Sequence, residues 1–115
     1  MAKKVLWLSR HKPLPTQHYT LQRMFGKDVE VAQDVSPFLS VGDILVRYKT
    51  GGYDDVVVVA PLSMLDKLVH MGVRPLWAEM EQVGKGKCRS YRFRRFRRVM
   101  GLEMKFEDLG PMACA

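Results

Sequence analysis

Three side chains with distinct chemistry follow the first apolar run of the chain. Residues 5–8 read Val-Leu-Trp-Leu, and Ser9, Arg10 and His11 come directly after them. A guanidinium is a forked donor for phosphate oxygens, an imidazole exchanges a proton near neutral pH, and a hydroxyl is a short donor. The set predicts contact with a phosphate group at the end of a buried strand. A polar loop after a strand is also commonly an ordinary solvated turn, and that alternative stays open.

A second polar loop follows the most apolar stretch. Residues 56–60 read Val-Val-Val-Val-Ala, which is typical of a strand covered on both faces in a parallel sheet. Pro61 ends this run, and Ser63 with Asp66 three positions later opens a predicted helix whose first N–H groups favour an anion. In open α/β sheets, ligands bind beyond the carboxyl ends of the strands. We therefore expect Ser63 and the Ser9-Arg10-His11 loop at one ligand site.

Strands and helices alternate in the elements that must position these loops. Strands are predicted at 5–8, 29–31, 56–60 and within 73–83. One helix is predicted from Gln17, after a Thr16 cap, to Gly26. A second begins at a Ser40-x-x-Asp43 capping box and ends at Gly51-Gly52, and a third begins at Ser63 and ends at Gly72. This order predicts an α/β fold, a single Rossmann-like open sheet that is mostly parallel, over one domain, residues 1–115.

Positive charge is concentrated near the C-terminus. Eight of the 19 lysines and arginines lie between residues 85 and 98 with no acidic residue among them, and the other 11 are balanced by 12 acidic residues elsewhere. The basic segment, 85–109, is expected to belong to the same domain. Such a local excess predicts contact with a polyanion, although a solvated face is the plainer interpretation.

The basic segment also carries a strand pattern. Apolar residues alternate at Tyr91 and Phe93, the phase slips at Arg94-Arg95, and alternation resumes over 102–106. This predicts a C-terminal antiparallel strand or bent hairpin near a sheet edge. A helix over 92–100 is the alternative, because the aromatic residues there also fit a helical stripe.

Several side chains of the basic segment are candidate ligand contacts. Lys85 and Lys87 lie in a glycine loop that could close over a ligand as a lid. Arg92 and Arg94 could bind phosphate, while the interleaved aromatic residues Tyr91, Phe93 and Phe96 could stack on bases.

Other chemistry-bearing residues are weaker candidates. Glu79 and Glu81 could be catalytic carboxylates, but alternation predicts that at least one faces water. His18 and His70 fall on predicted helices, where packing or surface exposure is the expected role. Cys88 and Cys114 lack the spacing of a disulfide framework or a zinc site, so no metal is expected. No glycine-rich dinucleotide fingerprint or phosphate-binding loop follows a strand, and no cofactor is predicted.

Two stretches resemble one known family. These are "VLWLSRH" near the N-terminus and "DDVVVVAPLSMLDKLVHMGVRPLWAEM" over 54–80. In both, a strand ends in polar residues or a proline, and the second continues through an amphipathic helix and a glycine into another strand. Over roughly half its length the chain is similar to the small stand-alone ring nucleases of type III CRISPR systems, which are related to CARF sensor domains.

The resemblance implies a homodimer that binds cyclic oligoadenylate across its two-fold axis and cleaves it without a metal. A ribose 2′-hydroxyl would attack the neighbouring phosphate and give a 2′,3′-cyclic phosphate. By this resemblance Arg10 would grip the scissile phosphate, and His11 would act as general acid or base or as a charge stabiliser. Ser9 and Ser63 would orient phosphate or ribose.

Two other functions remain open from the sequence. One is a non-catalytic module that binds a nucleotide or single-stranded nucleic acid through the arginine-rich hairpin. The other is a structural protein whose basic strand docks on a partner. No apolar run reaches the ~18 residues that a bilayer span needs. The N-terminus is interpreted as a first strand, which predicts a cytoplasmic protein without membrane contact.

Overall fold

Five strands form one mixed sheet. The computed structural model describes residues 2–88, 90–101, 105, 107, 109 and 110. The strands are β1 (Lys4–Leu8), β2 (Glu30–Gln33), β3 (Asp55–Val58), β4 (Leu76–Val83) and β5 (Ser90–Arg98), in the spatial order β2-β1-β3-β4-β5. The first four are parallel and β5 runs antiparallel to β4. The predicted α/β class, with a mostly parallel open sheet and a C-terminal antiparallel strand, is confirmed.

Three helices connect the parallel strands: α1 (Pro15–Phe25), α2 (Val41–Thr50) and α3 (Leu62–His70). The Ser40 cap of α2 is confirmed, since its hydroxyl accepts from Asp43 N at 3.2 Å. The Thr16 cap of α1 is wrong. The helix starts at Pro15, whose fixed φ suits a first helical position, and Gln17 Oε1 instead accepts from Leu14 N at 2.8 Å. None of the helices in the described ranges has the length and apolar content that a bilayer crossing requires.

The sheet is covered on both faces. Leu6, Leu8 and Val58 pack with the inner residues of α2 and α3, while Val5, Trp7 and Val57 pack with Leu21 of α1. Neighbouring strand residues point to opposite faces, so β1 and β3 supply both clusters. All four residues of β3 are buried, as predicted for an apolar strand in a parallel sheet.

The strand order reverses at β1. Trp7 pairs with Gln33 of β2 on one side, and Leu8 pairs with Val58 of β3 on the other. The chain therefore leaves β1 in one direction to reach β2 and later returns on the opposite side as β3. The carboxyl ends of all three strands meet at one edge, and the diverging connections open a crevice there.

The β4–β5 hairpin extends beyond that edge. Between β3 and β4 only Val57 and Leu76 are paired, yet β4 continues to Val83 and stays paired with β5 throughout. At about 3.3 Å per residue, the hairpin reaches roughly 20 Å past the end of β3. We name residues 77–97 the arm. The alternative helix over 92–100 is wrong, and Leu102, Met104 and Phe106, where alternation was predicted to resume, lie outside the described residues.

Candidate functional site

A cleft of about 350 Å³ lies at the carboxyl edge, where the strand order reverses. The loops after β1 and β2 form its walls, and the first residue past β3 closes one side. Its lining residues are Leu8, Ser9, Arg10, His11, Asp34, Val35, Ser36, Pro37, Phe38 and Val59. The volume is at the lower end of small-molecule sites and suits one nucleotide-sized group.

The main chain of the loop after β1 is fixed by hydrogen bonds. The buried Trp7 donates from Nε1 to the carbonyl of His11 at 2.8 Å. Ser9 Oγ accepts from His11 N at 3.2 Å, and Gln33 Nε2 donates to the carbonyl of Ser9 at 3.1 Å. Core side chains therefore hold this loop by its backbone.

The side chains of Arg10 and His11 take no part in that bonding. Both residues are exposed. Within residues 2–88 and 90–101, neither side chain makes a hydrogen bond or an ion pair. A guanidinium and an imidazole thus stand on a pinned loop at the mouth of a cleft, with their donors available to a ligand.

The opposite wall is built around Arg47 of α2. Its Nη1 donates to the carbonyl of Ser36 at 2.8 Å, and its Nη2 donates to that of Pro37 at 2.7 Å. Asp43 accepts from the same guanidinium at 2.9 Å and holds it in place. Arg47 therefore joins the loop after β2 to α2, and Asp43 adds a second contact by accepting from Leu39 N at 3.4 Å.

Asp34 brings a carboxylate into the cleft. It directly follows β2, and its Oδ1 accepts from Ser36 N at 2.9 Å, while Arg47 Nη1 lies 3.5 Å from its Oδ2. The backbone hydrogen bond from Ser36 lowers the pKa of Asp34, with smaller contributions from the Ser36 side chain and the Arg47 charge, against a partial desolvation that raises it. Asp34 is therefore ionised at neutral pH and still presents lone pairs to a ligand.

Sequence reasoning missed Asp34. The second strand was predicted to end at Val31, which left this carboxylate three residues out in a loop. Asp34 could have been recognised as the polar residue directly after a parallel strand. The apolar run at 29–31 is short, however, and does not show where the strand ends.

Other predicted site residues lie away from the cleft. Ser63 is exposed within the first turn of α3 and does not line it. Lys85 and Lys87 are exposed in the turn that joins the two strands of the arm, and Arg92 and Arg94 lie on β5. In the single chain, the structure brings Ser9, Arg10 and His11 together and leaves these five residues elsewhere.

The two candidate carboxylates on β4 are engaged in ion pairs. Arg95 Nε lies 2.6 Å from Glu79, and Arg92 Nε lies 2.8 Å from Glu81. The hydrogen bond from Arg95 is the main reason that the pKa of Glu79 is lowered. Both carboxylates neutralise cations of the arm.

The predicted helical histidines are found on helices. His18 is half-buried on α1, and His70 is exposed at the end of α3 with Nδ1 3.4 Å from Asp66. Neither lines the cleft.

A polar cluster also lies at the amino edge of the sheet. Arg98 Nη2 donates to the buried Asp55 at 2.6 Å, and its Nη1 donates to the carbonyl of Arg74 at 2.8 Å. The hydrogen bond to Asp55 raises the pKa of Arg98, and burial raises the pKa of the neighbouring Tyr48. This pairing fastens the end of β5 to the start of β3.

No three His, Cys, Asp or Glu side chains of the described ranges are grouped so that they could hold a metal ion. Comparison with known proteins adds no relative: no protein-family model, curated protein or solved structure matches this chain.

Proposed function

We propose that the protein binds a cyclic oligoadenylate messenger and cleaves it by attack of a ribose 2′-hydroxyl. One observation carries the proposal. The side chains of Arg10 and His11 have no partner among the described residues, and they lie on a loop fixed through its backbone, at a cleft where the strand order of an open α/β sheet reverses. A phosphate that enters the cleft meets a guanidinium, an imidazole and the Ser9 hydroxyl from one loop.

The reaction needs an acceptor for the 2′-hydroxyl proton, a proton donor for the leaving oxygen, a group that stabilises the developing charge, and correct orientation of the ribose. The 2′-hydroxyl gives its proton to solvent water as its oxygen forms a bond to the adjacent phosphorus, and the bond from phosphorus to the 5′-oxygen breaks with its electron pair on that oxygen. The products are a 2′,3′-cyclic phosphate and a 5′-hydroxyl. Arg10 stabilises the charge that develops on the phosphorane oxygens, and His11 in its protonated form supplies the proton to the departing 5′-oxygen. Holding the 2′-oxygen in line with the breaking bond lowers the barrier further.

Asp34 fits the ribose in this scheme. A carboxylate in an anion-binding cleft repels phosphate but accepts a hydrogen bond from a hydroxyl. Its lowered pKa keeps it ionised, so it acts as an acceptor that orients the ribose. The cleft then offers donors for phosphate on the β1 side and an acceptor for ribose on the β2 side.

A ring of several nucleotides is larger than one such cleft. Two copies that meet at their carboxyl edges would place two clefts around one ring, so we expect a homodimer in the cytoplasm. The test is incubation of purified protein with cyclic tri-, tetra- and hexa-adenylate in EDTA, followed by chromatography of the products. We expect linear products that end in 2′,3′-cyclic phosphate.

Matched variants separate the cleft from the rest of the surface. Arg10→Ala and His11→Ala should each slow cleavage about tenfold or more. Arg23→Ala and His70→Ala remove the same side-chain types from α1 and α3, and should leave the rate unchanged. If the wild-type protein turns over none of the rings, the enzymatic proposal fails. Equal loss in the cleft variants and their controls would remove the assignment to the cleft.

A further inference from the structure

The arm presents two chemically different faces. Cross-strand pairing places Trp77, Glu79 and Glu81 of β4 opposite Arg97, Arg95 and Arg92 of β5. The ion pairs of Glu79 and Glu81 show that these side chains share one side, which we name the arginine face. Ala78 and Met80 are opposite Phe96 and Phe93 on the other side, which we name the apolar face.

A bulge at Arg94 produces this separation. Glu79 pairs with Arg95 and Met80 pairs with Phe93, so Arg94 has no partner across the ladder. In a regular strand without a bulge, alternation along Arg-Phe-Arg-Arg-Phe-Arg would place the two phenylalanines, three positions apart, on opposite faces. With it, both phenylalanines share the apolar face. The phase slip at Arg94-Arg95 that the sequence predicted is confirmed as this bulge.

The apolar face is occupied by the protein itself. Phe93 and Phe96 lie 4.8 Å apart between ring centroids, and Phe96 packs edge-on against the buried Trp7 at 6.1 Å. Gln17 of α1 reaches the sulfur of Met80 at 3.8 Å. Both phenylalanines are half-buried in these contacts, and their stacking on bases stays a prediction.

The arginine face is open to solvent. Trp77 keeps 41% of its surface exposed at the base of the arm, directly across from Arg97. Arg95 and Arg97 are both 57% exposed, and Glu79 is shared between them. Of the described residues, Arg92, Arg94, Arg95 and Arg97 lie on or beside this face together with Glu79 and Glu81, so the face retains positive charge. Lys85 and Lys87 continue that charge to the tip of the arm.

We infer that the arginine face is a binding site for single-stranded nucleic acid, independent of the cleft. An extended strip of guanidiniums follows a phosphate backbone, and an exposed tryptophan beside it offers a stacking surface to an unpaired base. The guanidinium strip and the exposed tryptophan together favour a single strand over a duplex or a membrane surface. A duplex offers phosphates but no free base faces, and an acidic membrane surface offers charge without a stacking partner.

Fluorescence anisotropy tests this with fluorescein-labelled single-stranded RNA of mixed sequence, and with the same RNA annealed to its complement. The single strand should bind at least tenfold more tightly than the duplex. Its affinity should fall steeply between about 50 and 200 mM salt. Arg94→Ala combined with Arg97→Ala should reduce the slope of log affinity against log salt by about 0.7 per arginine.

Variants at Trp77 and Tyr91 distinguish stacking from charge. Trp77→Ala should weaken binding about tenfold at every salt concentration and leave the slope unchanged. Tyr91→Ala is the matched control, because Tyr91 is 65% exposed yet pairs with Gln82 on the side of the apolar face. The affinity of Tyr91→Ala for the single-stranded RNA should match that of the wild type. Circular dichroism melting confirms that each variant is folded.

The outcomes separate this site from the cleft. Arg10→Ala should bind the RNA as the wild type does, and Trp77→Ala should retain any ring cleavage. Equal affinity for duplex, capture on acidic vesicles with no preference for RNA, no binding at low salt, or wild-type affinity in Trp77→Ala would each overturn the inference. Loss of RNA binding in Arg10→Ala would instead assign the contact to the cleft.

Discussion

Two arginines at opposite edges of the sheet show how surroundings give one side-chain type two roles. At the amino edge, Arg98 is bonded to the buried Asp55 at 2.6 Å and to the carbonyl of Arg74 at 2.8 Å. At the carboxyl edge, Arg10 is exposed and has no ion pair within the described part of the chain. The first guanidinium is committed to the fold, whereas the second is available to a ligand.

The way in which each edge is held together explains this difference. At the amino edge the guanidinium itself joins β5 to β3. At the carboxyl edge Trp7 and Gln33 hold the backbone of the loop, and the side chains of Arg10 and His11 bond to none of the described residues. A rigid main chain with uncommitted side chains is the arrangement that a binding site needs.

The largest effect on stability is expected for Arg98→Ala. Removing one partner of a buried ion pair leaves Asp55 without its counter-charge, which costs about 3–5 kcal/mol at fully buried sites. Because the Arg98 side chain is 40% exposed, we expect about 2–3 kcal/mol in urea unfolding. Arg97→Ala, 57% exposed, is the control and should stay within about 0.5 kcal/mol. Equal losses in the two variants would contradict a fastening role for Arg98.

Trp7→Phe should have the next largest effect on stability, because Trp7 is the buried side chain that holds the loop after β1 at the carboxyl edge. The change removes the donor to the His11 carbonyl and leaves space beside Phe96. We expect a loss of about 1–2 kcal/mol in urea unfolding. Hydrogen exchange of the His11 amide should also accelerate, since the loop loses its anchor.

Leu21→Val serves as the control for Trp7→Phe, because it trims the same apolar cluster without touching the loop. It should reduce stability by a similar amount but leave exchange at His11 unchanged. If both variants loosen the loop equally, Trp7 has no specific positioning role.

Asp34→Asn should have a smaller effect that depends on pH. The folded protein lowers the pKa of Asp34 below its ordinary 3.8, so the charge stabilises the fold above that value and the benefit disappears as pH falls through the folded pKa. The unfolding free energy of the wild type should exceed that of the variant by on the order of 1 kcal/mol or less near pH 6, and this difference should shrink as the pH falls below 3.8. Unfolding in urea across this range measures it. A difference that grows toward low pH would show the opposite sign.

Much of the fold could be predicted from local patterns. The four-valine run of β3, the Ser40 cap of α2 and the phase slip at Arg94-Arg95 each have one strong physical cause, and each was found in the structure. The start of α1 was missed because Pro15 at the first helical position outweighed the Thr16 hydroxyl. Short-range chemistry decided these cases.

The candidate site was less predictable because it depends on contacts distant in sequence. Gln33 at the end of β2 bonds to the carbonyl of Ser9, 24 positions earlier, and Arg47 of α2 bonds to the loop after β2. The spacing of the sequence predicted Ser63 at the same edge of the sheet, but it could not show that Ser63 lies outside the cleft. The length of the arm likewise depends on where β3 stops as well as on how far β4 and β5 stay paired.

Arg10→Ala is expected to have the smallest effect on stability, and it tests the comparison most directly. Its side chain has no protein partner in the described ranges and carries one of many positive charges on a basic chain. Removing it should change the unfolding free energy by less than about 0.5 kcal/mol, with a slight gain as plausible as a loss. If the variant instead loses more than about 1 kcal/mol in urea unfolding, Arg10 belongs to the fold as Arg98 does. If Arg10→Ala keeps its stability but no longer binds the ligand, then Arg10 serves ligand binding while Arg98 serves the fold.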